Sequence, residues 1–222
     1  MTISTLIDKQ DTFEIVRDQI AAILVNEVAN QQALAVTAGK DPALWKLRIY
    51  LERSNPWEQW LNLDDITDRS PLVSVWFDSS SVDLNASNSV RRQKFTATYN
   101  IDCYGLGVSS DDGATGQIAG DKEASFESQR AVRLVRNILM AGENTRLQLE
   151  GTVADRSASS IAAFQPELNA RQAQRIIANR IRFEVSFNEF SPQVESRILE
   201  TLTATVNHGD DGEVLLVYDY TT

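Results

Sequence analysis

From Phe95 to Cys103 apolar and polar residues alternate without a break. Phe95, Ala97, Tyr99, Ile101 and Cys103 fall on one side, and Thr96, Thr98, Asn100 and Asp102 on the other. A period of two fits only an extended strand with one buried face. Such a strand needs neighbours, and the sequence offers them. Ile181, Phe183, Val185 and Phe187 alternate with Arg182, Glu184, Ser186 and Asn188 within a strand expected over Arg180–Phe190. Val73, Val75 and Phe77 share one face of a further strand expected over Pro71–Asp78. Alternation of this kind is the mark of an antiparallel sheet covered on one side.

Two helices are expected to supply the cover. Over Asp11–Val28, residues Phe13, Val16, Ile20, Ile23, Leu24 and Val28 form one stripe at helical spacing. Asp11 followed by Glu14 is a capping-box start. Over Ser125–Met140, residues Phe126, Ala131, Leu134, Val135, Ile138 and Leu139 make an apolar face, Arg130, Arg133 and Arg136 a basic edge, and Ala141-Gly142 a stop. The fold expected is α+β: a mainly antiparallel β-sheet with two principal helices packed on it. At 222 residues the chain reads as a single domain over 1–222.

Other segments are less regular. Lys40–Leu63 holds Trp45, Trp57 and Trp60, with Pro42 and Pro56 around a short helical piece over Leu44–Arg53. It reads as an aromatic insertion, 40–63. Ser79–Ser89 reads as a long, mobile hairpin loop, followed by the basic run Arg91-Arg92-Gln93-Lys94. Gly105–Asp121 reads as a flexible link. A short strand is expected within Arg146–Val153, a loop over Ser157–Ala163 and a helix over Pro166–Ala178. A C-terminal β-hairpin is expected at 198–220, with its turn at Asn207–Gly212.

Charge and residue counts narrow the function. The net charge is −10, from 31 acids against 21 bases. Broad grip on nucleic acid needs clustered Lys and Arg to neutralise phosphates, so that class is disfavoured. A surface past which nucleic acid slides would instead be acidic. No apolar run approaches the ~20 residues that span a bilayer, and Met1–Gln10 lacks the features of an export signal. Catalytic constellations are missing. His208, in an expected turn, is the single histidine, and Cys103 is the single cysteine, at a core position of its strand. One of each supplies neither a triad nor a zinc site. Asp111-Asp112-Gly113 and Asp210-Asp211-Gly212 lack the ligand order of a calcium loop and read as turns. Asp64, Asp65 and Asp68 read as a helix end or loop. No catalytic residue, metal ligand or cofactor is expected. The run Arg91-Arg92-Gln93-Lys94 reads as phosphate contact or as a surface between subunits.

The order of these elements resembles the tail terminator (tail completion) proteins of tailed bacteriophages and the related neck proteins. An amphipathic helix comes first. A β-hairpin with a polar loop ends in Phe95–Gly105, a Gly/Asp link precedes a central helix, and Arg182–Asn188 follows. The resemblance covers Asp11–Glu27 and about Pro71–Phe190. It implies a structural virion protein folded in the host cytoplasm and placed in the virion neck. Six copies would form a ring that caps the tail tube and meets the head–tail connector, with DNA passing through unbound. The tail tube protein, the connector and a tail sheath are the partners implied. On this reading Arg91, Arg92, Lys94, Arg130 and Arg133 belong to a subunit or tube interface, and Asp111 and Asp112 face the lumen. A connector adaptor, a stopper, a baseplate component and a small metal-dependent hydrolase stay open beside it.

Overall fold

In the computed structural model the alternating run lies within β3 (Arg92–Leu106), the middle of a five-stranded sheet. The structure describes residues 10–61, 68–89, 91–107, 110–111, 117–118, 120–164, 166, 176–190, 201–208 and 213–221. The other strands are β1 (Arg48–Leu51), β2 (Leu72–Val82), β6 (Val153–Phe164) and β7 (Ile176–Phe190), and the sheet order is β1-β2-β3-β7-β6. All pairs are antiparallel except β1 with β2. The expected α+β architecture is therefore present. In register, Tyr99 faces Phe77 on β2 and Phe183 on β7, so the three apolar alternations fall on one face. Val73, Val75, Ala97, Tyr99, Ile101, Cys103, Ile181, Phe183, Val185 and Phe187 are buried there in one core.

Two helices close that face. In α1 (Thr12–Thr37), Val16, Ile20, Ile23, Leu24 and Val28 are buried as the stripe requires. Glu14 accepts from the backbone N–H of Asp11 at 3.0 Å, the reciprocal arm of the capping box. Two sheet residues fix where the helix starts. Glu189 accepts from the Thr12 N–H at 3.1 Å, and the Tyr99 hydroxyl donates to the Phe13 carbonyl at 2.8 Å. The helix runs nine residues past Val28, because Ala, Asn and Gln permit helix where the apolar stripe has thinned. It stops in a Schellman arrangement. Lys40 N–H donates to Ala35 O and Gly39 N–H to Val36 O, with Gly39 at φ +67°.

The second helix, α3 (Gly120–Leu139), lays Ala124, Ser128, Ala131 and Val135 on the sheet. The approach is close enough that a Cβ on Gly105 would stand 2.1 Å from Ala124 O. Ser128 donates to Cys103 O at 2.7 Å and accepts from the Asn179 amide at 2.6 Å, which ties α3 to β3 and β7. Phe126 departs from the expected apolar face: it is 59% exposed, with Lys122 Nζ 6.0 Å from its ring centroid. One helical stripe is wider than the strip of sheet beneath it, and Phe126 lies outside that strip.

Several expectations are corrected. Leu44–Arg53 is not helical. A 3-10 turn at Pro42–Trp45 leads into edge strand β1. The segment is then completed by α2 (Glu58–Leu61). Trp57 and Trp60 are buried in a second core with Leu72, Tyr104, Leu106, Ile176 and Ala178 on the opposite face of the sheet. Ser157–Ala163 lies inside β6 rather than in a loop; exposed on both faces, it offered no alternation to read. Arg146–Val153 is mostly turn, with Leu147 and Gln148 at φ +51° and +56°, and Leu147 fully buried. Those left-handed residues swing the chain from α3 onto β6.

The flexible link contains a two-stranded ribbon of β4 (Ser110–Asp111) and β5 (Gln117–Ile118). Of Pro166–Ala178, residues 176–178 are strand, and most of the rest lie outside the described residues. The C-terminal hairpin is present as β8 (Thr201–His208) and β9 (Glu213–Thr221), in a two-stranded sheet of its own. His208 is the last residue of β8, opposite Glu213, and not part of the turn.

Candidate interaction surfaces

The connection between β2 and β3 is shorter than Ser79–Ser89, because Ser79–Val82 extends β2. What remains, Asp83–Arg91, is braced from within. Asp83 Oδ1 accepts from Asn85 N–H at 3.0 Å, an Asx turn. The Asn88 amide donates to Asp83 O at 2.7 Å, and Asn88 Oδ1 accepts from Lys94 N–H at 2.8 Å. Ser89 and Arg92 exchange backbone hydrogen bonds at 2.8 and 3.2 Å. Lys94 Nζ stands 3.3 Å from Asp83 Oδ2. The Asn85 backbone hydrogen bond, with Lys94 beside it, holds the Asp83 carboxyl below its ordinary pKa. Among the polar residues that suggested a mobile loop, Asp83, Asn88 and Ser89 are internal struts.

These struts leave a large apolar side chain and two cations among the outward residues. Leu84 is 88% exposed, and Arg91 and Arg92, at the far end of the same connection, are exposed as well. Lys94 is half-buried and already paired, so the basic run is reduced to two outward cations. Leu84 was overlooked in the sequence. Its signal was an isolated large apolar residue in the polar stretch Ser79–Ser89.

The arginines of α3 divide in the same way. Arg130 is inward. Its Nε donates to Glu127 at 3.1 Å, its Nη2 pairs with the same carboxylate, and its Nη1 donates to Leu44 O, tying α3 to the 3-10 turn. Arg133 and Arg136 are exposed. Arg130 is thus a structural clamp, and Arg91 and Arg92 lie on a different element from Arg133. Asp111 ends β4, opposite Gln117. Asp112 lies outside the described residues.

The second sheet face carries a cleft of about 500 Å³ that periodicity did not reveal. Its floor is an ion pair. Arg180 Nε and Nη2 meet Asp102 Oδ1 and Oδ2 at 2.7 and 2.8 Å, and Trp76 Nε1 donates to Oδ2 at 3.0 Å. The guanidinium lies between Trp76 and Phe164, 4.8 and 4.9 Å from their ring centroids. This carboxylate raises the Arg180 pKa against the opposing effect of burial. Burial, reinforced by Asp102, pushes the Tyr104 hydroxyl far above its usual range. Each charged group here has a partner, and the pair joins β3 to β7 across the sheet.

Catalytic candidates find no company. Cys103 is fully buried, and burial together with Asp102 pushes its thiol far above the reactive range. Asp68 takes Lys46 Nζ at 2.7 Å and Arg48 Nη2 at 2.8 Å, and also accepts from Ser70. Asp64, Asp65, Asp210 and Asp211 lie outside the described residues. Among those described, no three His, Cys, Asp or Glu residues group as a metal site. No helix among them is long and apolar enough to cross a membrane. Compared with protein-family models and with curated proteins, the chain matches none.

Proposed function

We propose that this chain is a structural virion protein, a subunit of a ring of six copies that terminates a phage tail tube and joins it to the head connector. The observation that carries the reading is the Asp83–Arg91 loop. Of its seven residues from Asp83 to Ser89, six are polar or small, and Asp83, Asn88 and Ser89 brace the loop from within. Bracing of this kind lowers the ordering cost of docking, so the loop suits presentation of Leu84, Arg91 and Arg92 to a protein neighbour. An exposed large apolar residue and two exposed arginines on one connection suit a contact surface, where arginine is enriched. The excess of acid over base supports a lumen through which DNA passes without adhering.

Electron microscopy of the purified protein, alone and with tail tubes or heads, tests the reading, with light scattering for mass. Rings, or density at one tube end, are expected. A chain that stays monomeric and ignores tubes overturns it. Density on heads alone moves the protein to a connector adaptor or stopper.

A further inference from the structure

Strand β6 closes one edge of the sheet, and among the described residues nothing pairs with its outer side. Natural edge strands are usually short, or guarded by lysine, proline or bulges. β6 spans twelve residues and has neither lysine nor proline. Two bulges, at Ala154 and Ser159, disturb its first part. From Ser160 to Phe164 the pairing with β7 is regular again, and this stretch is unguarded. Its charges sit at the other end, where Arg156 turns back to the carbonyls of Leu139 and Ala141. The run Ser157–Ala163 is uncharged. The helix layer does not reach over it either: Ile161 is in register with core residue Ile181 yet is 48% exposed.

The chain also contains strands in search of a sheet. Among the described residues, β8 and β9 pair only with each other. A lone two-stranded hairpin is marginal in water and gains stability from a third strand. The register puts Leu202, Ala204 and Val206 on one face of the hairpin with Leu216, Tyr218 and Tyr220. Thr201, Thr203 and Thr205 fall on the other face. β8 is uncharged from Thr201 to Asn207. The Ser160–Phe164 edge of β6 is uncharged as well. Ala158, Ile161 and Ala163 share the core side of β6, and Ser160, Ala162 and Phe164 the other side. Laid side by side, Ile161 and Ala163 continue the apolar row of Leu202, Ala204 and Val206, and Ser160 and Ala162 continue the row of threonines, with Phe164 at its end against the second core.

We propose that β8 of one copy pairs with the Ser160–Phe164 edge of the next, so that the hairpin extends the neighbour's sheet. Donor and acceptor are different surfaces, which makes the contact head-to-tail and able to close a ring. The inference rests on the ring reading for that choice over a two-fold pairing of β6 with itself. Backbone hydrogen bonds supply the attraction and the matched faces the register.

Cysteine cross-linking of the full chain tests it, with the buried Cys103 left in place. One preparation carries Ser160→Cys, and the others carry Thr201→Cys, Thr203→Cys or Thr205→Cys. After mixing and mild oxidation, a disulfide between the two kinds of chain is expected in at least one mixture. Ser160→Cys should not dimerise efficiently alone. Failure of all three mixtures, or efficient self-linking of Ser160→Cys, overturns the proposal. Independently, Ile161→Lys should shift the assembly to monomer with an unchanged circular dichroism spectrum; full assembly of that variant also overturns it. Rings on tube ends without the mixed disulfide would sink the strand exchange and leave the ring reading standing. The mixed disulfide in a chain that ignores tubes would do the reverse.

Discussion

At the residue scale, the buried carboxylate of Asp102 shows what a polar position inside a strand can hide. Only 4% of its side chain is exposed, and Arg180 and Trp76 satisfy it. Removing one partner of a buried pair leaves the other uncompensated, typically at about 3–5 kcal/mol. Arg180 keeps 37% exposure, so water screens part of the loss. Asp102→Asn is expected to cost about 2 kcal/mol by urea unfolding. The double change Asp102→Leu with Arg180→Met should recover most of it, since the aromatic walls of Trp76 and Phe164 accept an apolar filling. Asp68 is the acid-sensitive counterpart. Its burial alone would raise its pKa, but hydrogen bonds from Lys46, Ser70 and Arg48 outweigh burial and hold it well below the usual range. A carboxyl depressed in the folded state adds stability above its unfolded value of about 3.9 and loses it as pH falls toward the folded value. The urea midpoint of the parent should therefore drop more steeply below about pH 4 than that of Asp68→Asn, and parallel curves would show that the Asp68 cluster contributes nothing.

At the element scale, the docking of α3 sets the tightest tolerances. Gly105→Ala places a methyl against the backbone of Ala124 and Ser128, which moves only with the whole helix. Overpacking costs about 1–3 kcal/mol where side chains can shift, and the cost here should reach the upper end of that range. A chemical unfolding curve matching the parent would contradict the packing. The other end of α3 depends on Arg156. Its guanidinium donates to the carbonyl of Leu139, which the last helical turn leaves without an intrahelical donor, and to those of Ala141 and Thr145 in the turn that follows. Burial lowers its pKa. Arg156→Met keeps the aliphatic stem and removes the donors. It should cost about 1–2 kcal/mol, with faster amide exchange confined to the end of α3 and the following turn.

At the scale of the whole molecule, the buried core and the surface proposed for docking are separate. The main core lies between two helices and one sheet face, whereas Leu84, Arg91 and Arg92 lie outside it. Changes there should leave folding untouched and alter association alone. Arg91→Ala with Arg92→Ala, and separately Leu84→Ser, are expected to shift the melting temperature by less than about 2 °C, because exposed substitutions usually stay within about 0.5 kcal/mol. Each should weaken binding to tail tubes in a sedimentation assay by about tenfold, the effect of losing roughly 1.4 kcal/mol at a contact. Unchanged binding by both variants would remove this loop from the interface.

The sequence by itself determined the elements whose burial is one-sided. The alternations around Tyr99, Phe183 and Val75 and the stripe of α1 declared their faces, because one row of each is apolar and the other polar. The fold class, the capping box at Asp11 and Glu14 and the burial of Cys103 follow from that pattern. Tertiary structure decided what is buried on both faces or on neither. β1 joins the sheet through parallel pairing with β2, a long-range contact that leaves no period in four residues. β6 is strand because β7 offers it an edge, although Ser157–Ala163 has no buried face to advertise. Polar residues were the least legible, since a hydrogen-bond partner and not a period determines their place. Asp83 and Asn88 became loop struts, Lys94 joined Asp83, Arg130 turned to Leu44, and Asp102 met Arg180 from 78 residues away. Hydrophobic periodicity is a local property of a chain, whereas the pairing of charges and strand edges exists only once distant segments share a space.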